Sequence, residues 1–528
     1  MAFTAELPAP QLLEARAAAW PDRVAIDVVG RDAVVTYAEL HDSVLRWAGA
    51  FRRLGVAAGE RVAVMLPTSV DAYRAWFGLA WLRALEVPVN TDYRGGILAY
   101  LLGQSKARVA VVSARYLDRL AEVAADVAGL ETVVVPDADG PLPDLPFKLL
   151  TGAEFLAGVE PAAALRPPAW DDVAAVIYTS GTTGPSKGVL VPWGEIATMG
   201  SCFPDDAFTA SSRLYSFWPT FHMSGKWPLY AVIDRGATLC LRERWKTDAF
   251  WADVRAMRAD LAVIFGPLPL FLAAQPEQPD DADNPLTDVV MAPVIPGFRE
   301  FEARFGVRIH TASGMTEIGL PMRGYHPLPN HRTGGRLLPG YDVRLVDDDG
   351  NDVGPNVAGE LLVRANVRHR LSLGYLDLPE ATEAAWTDGW FHTGDAFLVD
   401  DDGHWYFVDR IKDCLRRRGE NISSFEVENA VNAHPAVLET AAVGATSEWG
   451  EQEVKVLVVR KPGGAVTEAE LVEFLIPRMP RFMVPRYVEF VDELPKTPTG
   501  KVKKAELRER GHTASTWDRD AAGVVVPK

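Results

Sequence analysis

Segments with a strand's composition and segments with a helix's spacing take turns along this chain. That alternation restricts the fold more than any other feature. Parallel strands need a crossover between them, which a helix supplies, so the pattern selects an α/β architecture with largely parallel sheets. Thr36-Tyr37-Ala38-Glu39 is a Thr-x-x-Glu capping box, in which hydroxyl and carboxylate each satisfy a backbone N–H at a helix start. It opens a predicted helix whose apolar positions include Leu40, Val44, Trp47 and Phe51. Arg61 to Leu66 reads as the next strand, and a helix follows from about Val70 to Ala84. Val109 to Ser113 and Thr132 to Val135 are short apolar runs suited to buried strands. Proline-rich connections lie between Pro136 and Pro146 and at Pro167-Pro168.

The texture changes after Asp409. A strand near Cys414 to Arg417 is followed by a helix introduced by Ser423-Ser424-Phe425-Glu426. Strand Val454 to Arg460 comes next, then a helix capped by Thr467 with Glu470 three residues on. Residues 1–410 are therefore expected to form a large N-terminal domain of several α/β subdomains. Residues 411–528 are expected to form a small α+β domain.

Composition removes several classes of function. The chain has 528 residues, with 71 acidic against 54 basic side chains and a net charge of −17, opposite to the surplus of a general nucleic-acid binder. Hydrophobic residues at 48% and charged ones at 24% place it among folded proteins rather than disordered ones. Cys202, Cys240 and Cys414 are far apart and odd in number, so they form neither a disulfide framework nor a zinc knuckle. Met1 to Trp20 carries Glu6 and Glu14 and lacks the basic opening and apolar core of a secretory signal. Leu261 to Ala274 is apolar but broken by Gly266, Pro267 and Pro269, and a membrane span needs roughly 20 residues. The expectation is a soluble cytoplasmic protein with no nucleic-acid partner and no membrane span, homodimerisation being left open.

The strongest chemical signal is Tyr178-Thr179-Ser180-Gly181-Thr182-Thr183-Gly184-Pro185-Ser186-Lys187-Gly188, which follows a predicted strand, Val173 to Tyr178. Its glycines permit tight turns that bring backbone amides close to an anion. The hydroxyls and Lys187 complete a cradle for polyphosphate oxygens. Neither the Walker A spacing nor Gly-x-Gly-x-x-Gly occurs. Taken alone, such a loop is also what an ordinary connection looks like.

Further motifs follow in order. They are Ser313-Gly314-Met315-Thr316-Glu317, Gly389-Trp390-Phe391-His392-Thr393-Gly394-Asp395 and Asp409-Arg410-Ile411-Lys412-Asp413. Arg418-Gly419-Glu420-Asn421-Ile422 and Pro495-Lys496-Thr497-Pro498-Thr499-Gly500-Lys501 complete the set. With the loop above, the series resembles the ANL superfamily of adenylate-forming enzymes from about Pro10 to Gly511, and the AMP-forming acyl-CoA synthetases in particular. Its overall texture is similar to the crotonobetaine/carnitine-CoA ligase-like branch.

The resemblance implies the ANL fold, with a mobile C-terminal domain, and the substrates and cofactors ATP, Mg²⁺, CoA and a carboxylic acid. Thr179, Ser180, Gly181, Thr182, Thr183, Gly184 and Lys187 would hold phosphate with Thr316, and Ser313, Gly314 and Met315 would bind the ATP or AMP nucleotide. Glu317 would hold Mg²⁺, Asp395 and Arg410 the ribose, and Lys501 would bridge α-phosphate and carboxylate. Asp413 would be the hinge, and Arg418, Gly419 and Glu420 would meet CoA. Trp218, Phe221, His222 and Met223 would wall the acyl pocket, with His222 among the catalytic residues. Bringing a carboxylate against an α-phosphate sets two anions together, so positioning and charge neutralisation must do most of the catalysis.

His222 stands where amino-acid-activating modules usually place an Asp, which argues against an α-amino acid substrate. Arg416, Arg417 and Arg418 either meet CoA phosphates or form an exposed basic run. Lys226 either faces a second substrate carboxylate or snorkels to solvent, the latter being favoured. Two departures from the family pattern stand out. Ser313 replaces the usual adenine-stacking Tyr, and Val289-Val290 replaces glycines expected to wall the adenine and acyl chain. The expected activity is an acid–thiol ligase of fatty acid or secondary metabolism. The alternatives are an enzyme that stops at the adenylate or loads a carrier protein, and a catalytically silent nucleotide-binding homologue.

Overall fold

The computed structural model describes residues 7–527 apart from 32, 180–185, 201, 266–267, 296, 348, 411–414, 418–419, 423, 447–451, 462, 496–501 and 503. The capping box at Thr36 forms as expected and starts the helix Tyr37–Arg53, which buries Leu40, Val44, Trp47 and Phe51. The helix Val70–Trp81 packs beside it. Together they cover a five-stranded parallel sheet ordered Leu85–Pro88, Arg61–Met65, Val109–Val112, Thr132–Val135, Lys148–Thr151.

A second, larger sheet departs from the expectation of largely parallel strands. Val24–Val28, Thr238–Leu241, Arg213–Ser216, Leu261–Phe265, Asp288–Ala292 and Arg308–Met315 run parallel. From there the sheet continues antiparallel through Gly319–Gly324, Thr333–Leu337, Trp405–Arg410, Trp390–Val399, Gly359–Ala365 and Tyr341–Val346. The connections decide this. The parallel strands are separated by helices such as Met223–Arg235 and Phe298–Phe305, whereas only a tight turn separates Arg308–Met315 from Gly319–Gly324. A short turn can join only antiparallel neighbours. The apolar stretch 261–274 divides into the strand Leu261–Phe265 and the helix Leu268–Ala273.

The C-terminal part has its own sheet, ordered Val437–Thr446, Gln452–Arg460, Tyr487–Phe490, Trp517–Asp518, and its own apolar core. The helix Ser424–Asn432 packs on it, and Thr467 caps the helix Glu468–Leu475 with Glu470 as expected. The architecture is thus a large α/β N-terminal domain and a small C-terminal one. No helix among the described residues is long and apolar enough to cross a membrane.

Candidate active site

The strand Arg308–Met315 is where the large sheet changes direction. Its first half pairs in parallel with Asp288–Ala292 and its second half antiparallel with Gly319–Gly324. Ligands of α/β sheets bind outside the carboxyl ends of the parallel strands, and the second half of this strand extends past that edge. Ser313-Gly314-Met315-Thr316-Glu317 lies there because the chain turns back tightly. A Cβ on Gly314 would stand 1.8 Å from the Gly319 carbonyl oxygen, so only glycine fits. Met315 and Thr316 are half-buried, and Glu317 is buried.

The hairpin of Val173–Thr179 and Lys187–Pro192 brackets the phosphate loop, with Thr179 and Lys187 as register partners at its mouth. Thr179 Oγ1 donates to Glu317 Oε1 at 3.4 Å, so the end of this hairpin strand and the Thr-Glu motif converge. A residue that sequence reasoning missed joins them. Tyr375 Oη donates to the same Glu317 oxygen at 3.2 Å, and Lys187 Nζ lies 4.9 Å from the centre of its ring. Burial first, and then the Glu317 charge, hold the phenol well above its ordinary pKa, so it keeps the proton it donates. Its sequence signal is only a tyrosine after a glycine, remote from both motifs.

Asp395 and Arg410, the expected ribose pair, are register partners on antiparallel strands. The Asp395 amide is held by Thr393 Oγ1 at 3.1 Å. Ser313 is half-buried against Gly334, where an added Cβ would come within 2.3 Å of the serine oxygen. The expectation for the valines is corrected. Val289 and Val290 are fully buried on opposite faces of their strand, in separate cores, because strand side chains alternate. They build core, not a ligand wall.

On the acyl side, His222 occupies the N-cap position of the helix Met223–Arg235, with Phe221 and Met223 buried beside it. Gly225 lets this turn close, since a Cβ there would meet the Pro219 carbonyl oxygen at 2.2 Å. Trp218 is fixed by its indole N–H, which donates to the Val263 carbonyl at 2.8 Å. His222 Nε2 lies 2.9 Å from Glu420 Oε2, on the strand Glu420–Ile422 of the C-terminal part. The expected acyl-pocket histidine and the expected CoA-loop glutamate therefore meet. Burial lowers the imidazole pKa, but the charge of Glu420 and its hydrogen bond outweigh that and leave it raised.

Lys226 does not snorkel. It is fully buried, ion-paired with Glu86 and 4.5 Å from the centre of the Trp76 ring. Arg417 is not part of an exposed run either. It is buried, bonds the Phe482 carbonyl at 2.8 Å and pairs with Glu453 at 2.6 Å, which ties it to its own domain's core. A further contact missed from sequence is Glu426, whose Oε1 accepts from the Ser186 amide at 3.0 Å and from its hydroxyl, joining the phosphate hairpin to the C-terminal part. Ser180, Gly181, Thr182, Thr183, Gly184, Asp413, Arg418, Gly419 and Lys501 lie outside the described residues. Among the described residues no cluster of three His, Cys, Asp or Glu side chains is arranged to hold a metal.

Residues 13–376 match the AMP-binding enzyme family, and residues 426–501 match the AMP-binding enzyme C-terminal domain. The chain belongs to the AMP-binding enzyme family. This AMP-binding enzyme is 30% identical over 483 residues to crotonobetaine/carnitine–CoA ligase of Salmonella typhi, spanning 90% of this chain and 93% of that one. Its fold is similar to that of o-succinylbenzoate CoA synthetase from Bacillus subtilis bound with a product analogue. That TM-score is 0.82 at 21% identity, over 96% of this chain and 99% of the other. An amide bond synthetase from Marinactinospora thermotolerans gives 0.81 at 24% identity, over 96% and 99%. The ANL fold expected from the motifs is therefore the fold observed, and the chain falls among adenylate-forming ligases.

Proposed function

We propose that this enzyme is an ATP-dependent acyl-CoA synthetase. The observation that carries the reading is the convergence of Thr179, Lys187 and Glu317 past the carboxyl edge of the parallel strands, with Thr179 and Lys187 flanking the glycine-rich segment in sequence. In the first half-reaction a carboxylate oxygen of the substrate attacks the α-phosphorus of ATP. The bond to the β-phosphate bridging oxygen breaks, and pyrophosphate leaves. Lys187 and Lys501 offset the repulsion between the two anions, and Asp395 with Arg410 orients the ribose. In the second half-reaction the sulfur of CoA attacks the acyl carbonyl, AMP leaves, and the thiol proton is released.

Glu317 fits a hard divalent cation, because a buried carboxylate supplies an oxygen ligand and Thr179 and Tyr375 fix its orientation. Mg²⁺ bound there would neutralise charge on the polyphosphate. Residues 1–410 hold the nucleotide and the acid in this reading. Residues 411–528 turn about Asp413, presenting Lys501 for adenylation and the Arg418-Gly419-Glu420 loop for thioester formation. The Glu420–His222 contact supports the second position, since it sets Glu420 against the acyl side.

A second reading concerns the acceptor. The same fold serves a CoA synthetase and an amide bond synthetase, so it does not by itself choose a thiol. A panel of carboxylic acids assayed for ATP-dependent pyrophosphate release, with and without CoA, tests both readings. The expected result is an acid that releases pyrophosphate and yields its CoA thioester. Pyrophosphate release that never leads to thioester, but does lead to an amide or an acylated carrier, would sink CoA as acceptor.

A further inference from the structure

Three distant chain segments meet at Tyr375. Its backbone lies beside the strand Lys187–Pro192, with Val189 as bridge partner. The Leu373 amide donates to the Leu190 carbonyl at 2.8 Å, the Leu190 amide to the Gly374 carbonyl at 2.9 Å, and the Leu376 amide to the Gly188 carbonyl at 2.7 Å. The Ser372 amide donates to the Glu317 carbonyl at 3.0 Å, and the Tyr375 amide to Thr382 Oγ1 at 3.0 Å. These backbone bonds already fix the segment, so the fold does not need the phenol hydroxyl. That hydroxyl, on a half-buried side chain, nonetheless donates to Glu317. The ring's π-face is within reach of Lys187, and an ammonium at that distance is attracted to the ring's electrons.

We propose that Tyr375 is a positioning residue for the phosphate site, its hydroxyl orienting the Glu317 carboxylate and its ring steadying the Lys187 ammonium. This inference rests on the reading of Glu317 as the Mg²⁺ residue and Lys187 as a phosphate residue. The chemistry suits the task. A neutral donor orients a carboxylate without cancelling its charge, which leaves that charge for a cation. A ring holds an ammonium without engaging its N–H donors in fixed hydrogen bonds, which leaves them for phosphate oxygens. A lysine or arginine in place of Tyr375 would compete with the metal for Glu317 and repel Lys187.

The test is calorimetric titration of the full-length protein with a non-hydrolysable ATP analogue, in Mg²⁺ and in EDTA, alongside thermal unfolding. Tyr375→Phe keeps the ring and removes the donor. It should weaken binding about tenfold in Mg²⁺, the scale of a hydrogen bond to a charged group, and leave binding in EDTA and the unfolding midpoint unchanged. Tyr375→Leu removes both features and should weaken both arms. In a Glu317→Gln background, Tyr375→Phe should have no further effect in Mg²⁺. Equal weakening of both arms by Tyr375→Phe, or an undiminished effect in the Glu317→Gln background, overturns the inference and leaves the reading of Glu317 standing. A wild-type protein that binds the analogue equally in Mg²⁺ and EDTA overturns that reading, and this inference with it.

Discussion

Lys226 and Glu86 place a full charge pair in the core, with side chains 0% and 1% exposed. Burial raises the pKa of Glu86 to about 6 and lowers that of Lys226, while each partner's charge opposes the shift of the other. Removing one partner strands the other's charge in a medium that solvates it poorly. Lys226→Met should therefore lower stability by about 3–5 kcal/mol, whereas Glu86→Leu with Lys226→Met should recover most of the loss. Urea midpoints of the three proteins check this, and equal loss in single and double variants would contradict it. His222 gives a pH prediction at the same scale. Its pKa is raised in the folded protein, so the stability it contributes is complete below the ordinary value of 6.5 and lost as pH rises through the raised value. The difference in unfolding midpoint between wild type and His222→Gln should shrink as pH rises from 6 across about 6.5 and above. A difference that grows with pH would show that the Glu420 contact does not govern this group.

Capping boxes were legible because they are local. Thr36 with Glu39 and Thr467 with Glu470 need only three residues' separation to form, and both are present. Strand direction was not legible in the same way, because it depends on which distant strand becomes the neighbour. Val289-Val290 shows the same limit. Two valines read as a changed ligand wall, yet alternation along a paired strand sends them into two cores. The turn after Arg308–Met315 carries the prediction for this scale. Gly314→Ala sets a Cβ against the Gly319 carbonyl, so the Thr-Glu turn must open. Pyrophosphate release should fall on the order of 10²-fold, as when a preorganised charge-stabilising group is displaced. Stability should fall by about 1–3 kcal/mol, as for other overpacked sites. Near wild-type release from a folded Gly314→Ala protein would show that the turn tolerates opening.

At the scale of the molecule, two contacts among the described residues join the C-terminal part to the rest at the candidate site. Glu420 meets His222 on the acyl side, and Glu426 meets Ser186 beside the phosphate loop. If residues 180–187 hold polyphosphate as proposed, a carboxylate at Ser186 would repel it, so under the proposed function this arrangement suits the step after pyrophosphate has left. The proposed scheme assigns adenylation to a different placement, which brings in Lys501. Lys501→Ala should lose on the order of 10²–10³ in adenylation, the size expected for removing one preorganised donor. The same variant, given acyl-AMP and CoA, should form thioester at close to the normal rate. Equal losses in both half-reactions would remove the two-position scheme.

The sequence by itself determined the class of chemistry and the order of its parts. A glycine-rich hydroxyl loop, a Thr-Glu pair, a Thr-Gly-Asp segment and a terminal lysine loop are each short enough to be read along the chain. So were the helices that Thr36 and Thr467 begin, since capping and apolar spacing are set by residues a turn apart. Tertiary structure alone decided what lies between those parts. Tyr375 touches Glu317 and lies over Lys187, Glu426 touches Ser186, and Lys226 finds Glu86 140 residues away. No local pattern marks such residues, because an isolated tyrosine, glutamate or lysine takes its role from the partner the fold delivers. The charges of Lys226 and Arg417 make the point most plainly. Read along the chain they belonged to solvent or substrate, and burial against one carboxylate each turned them into core.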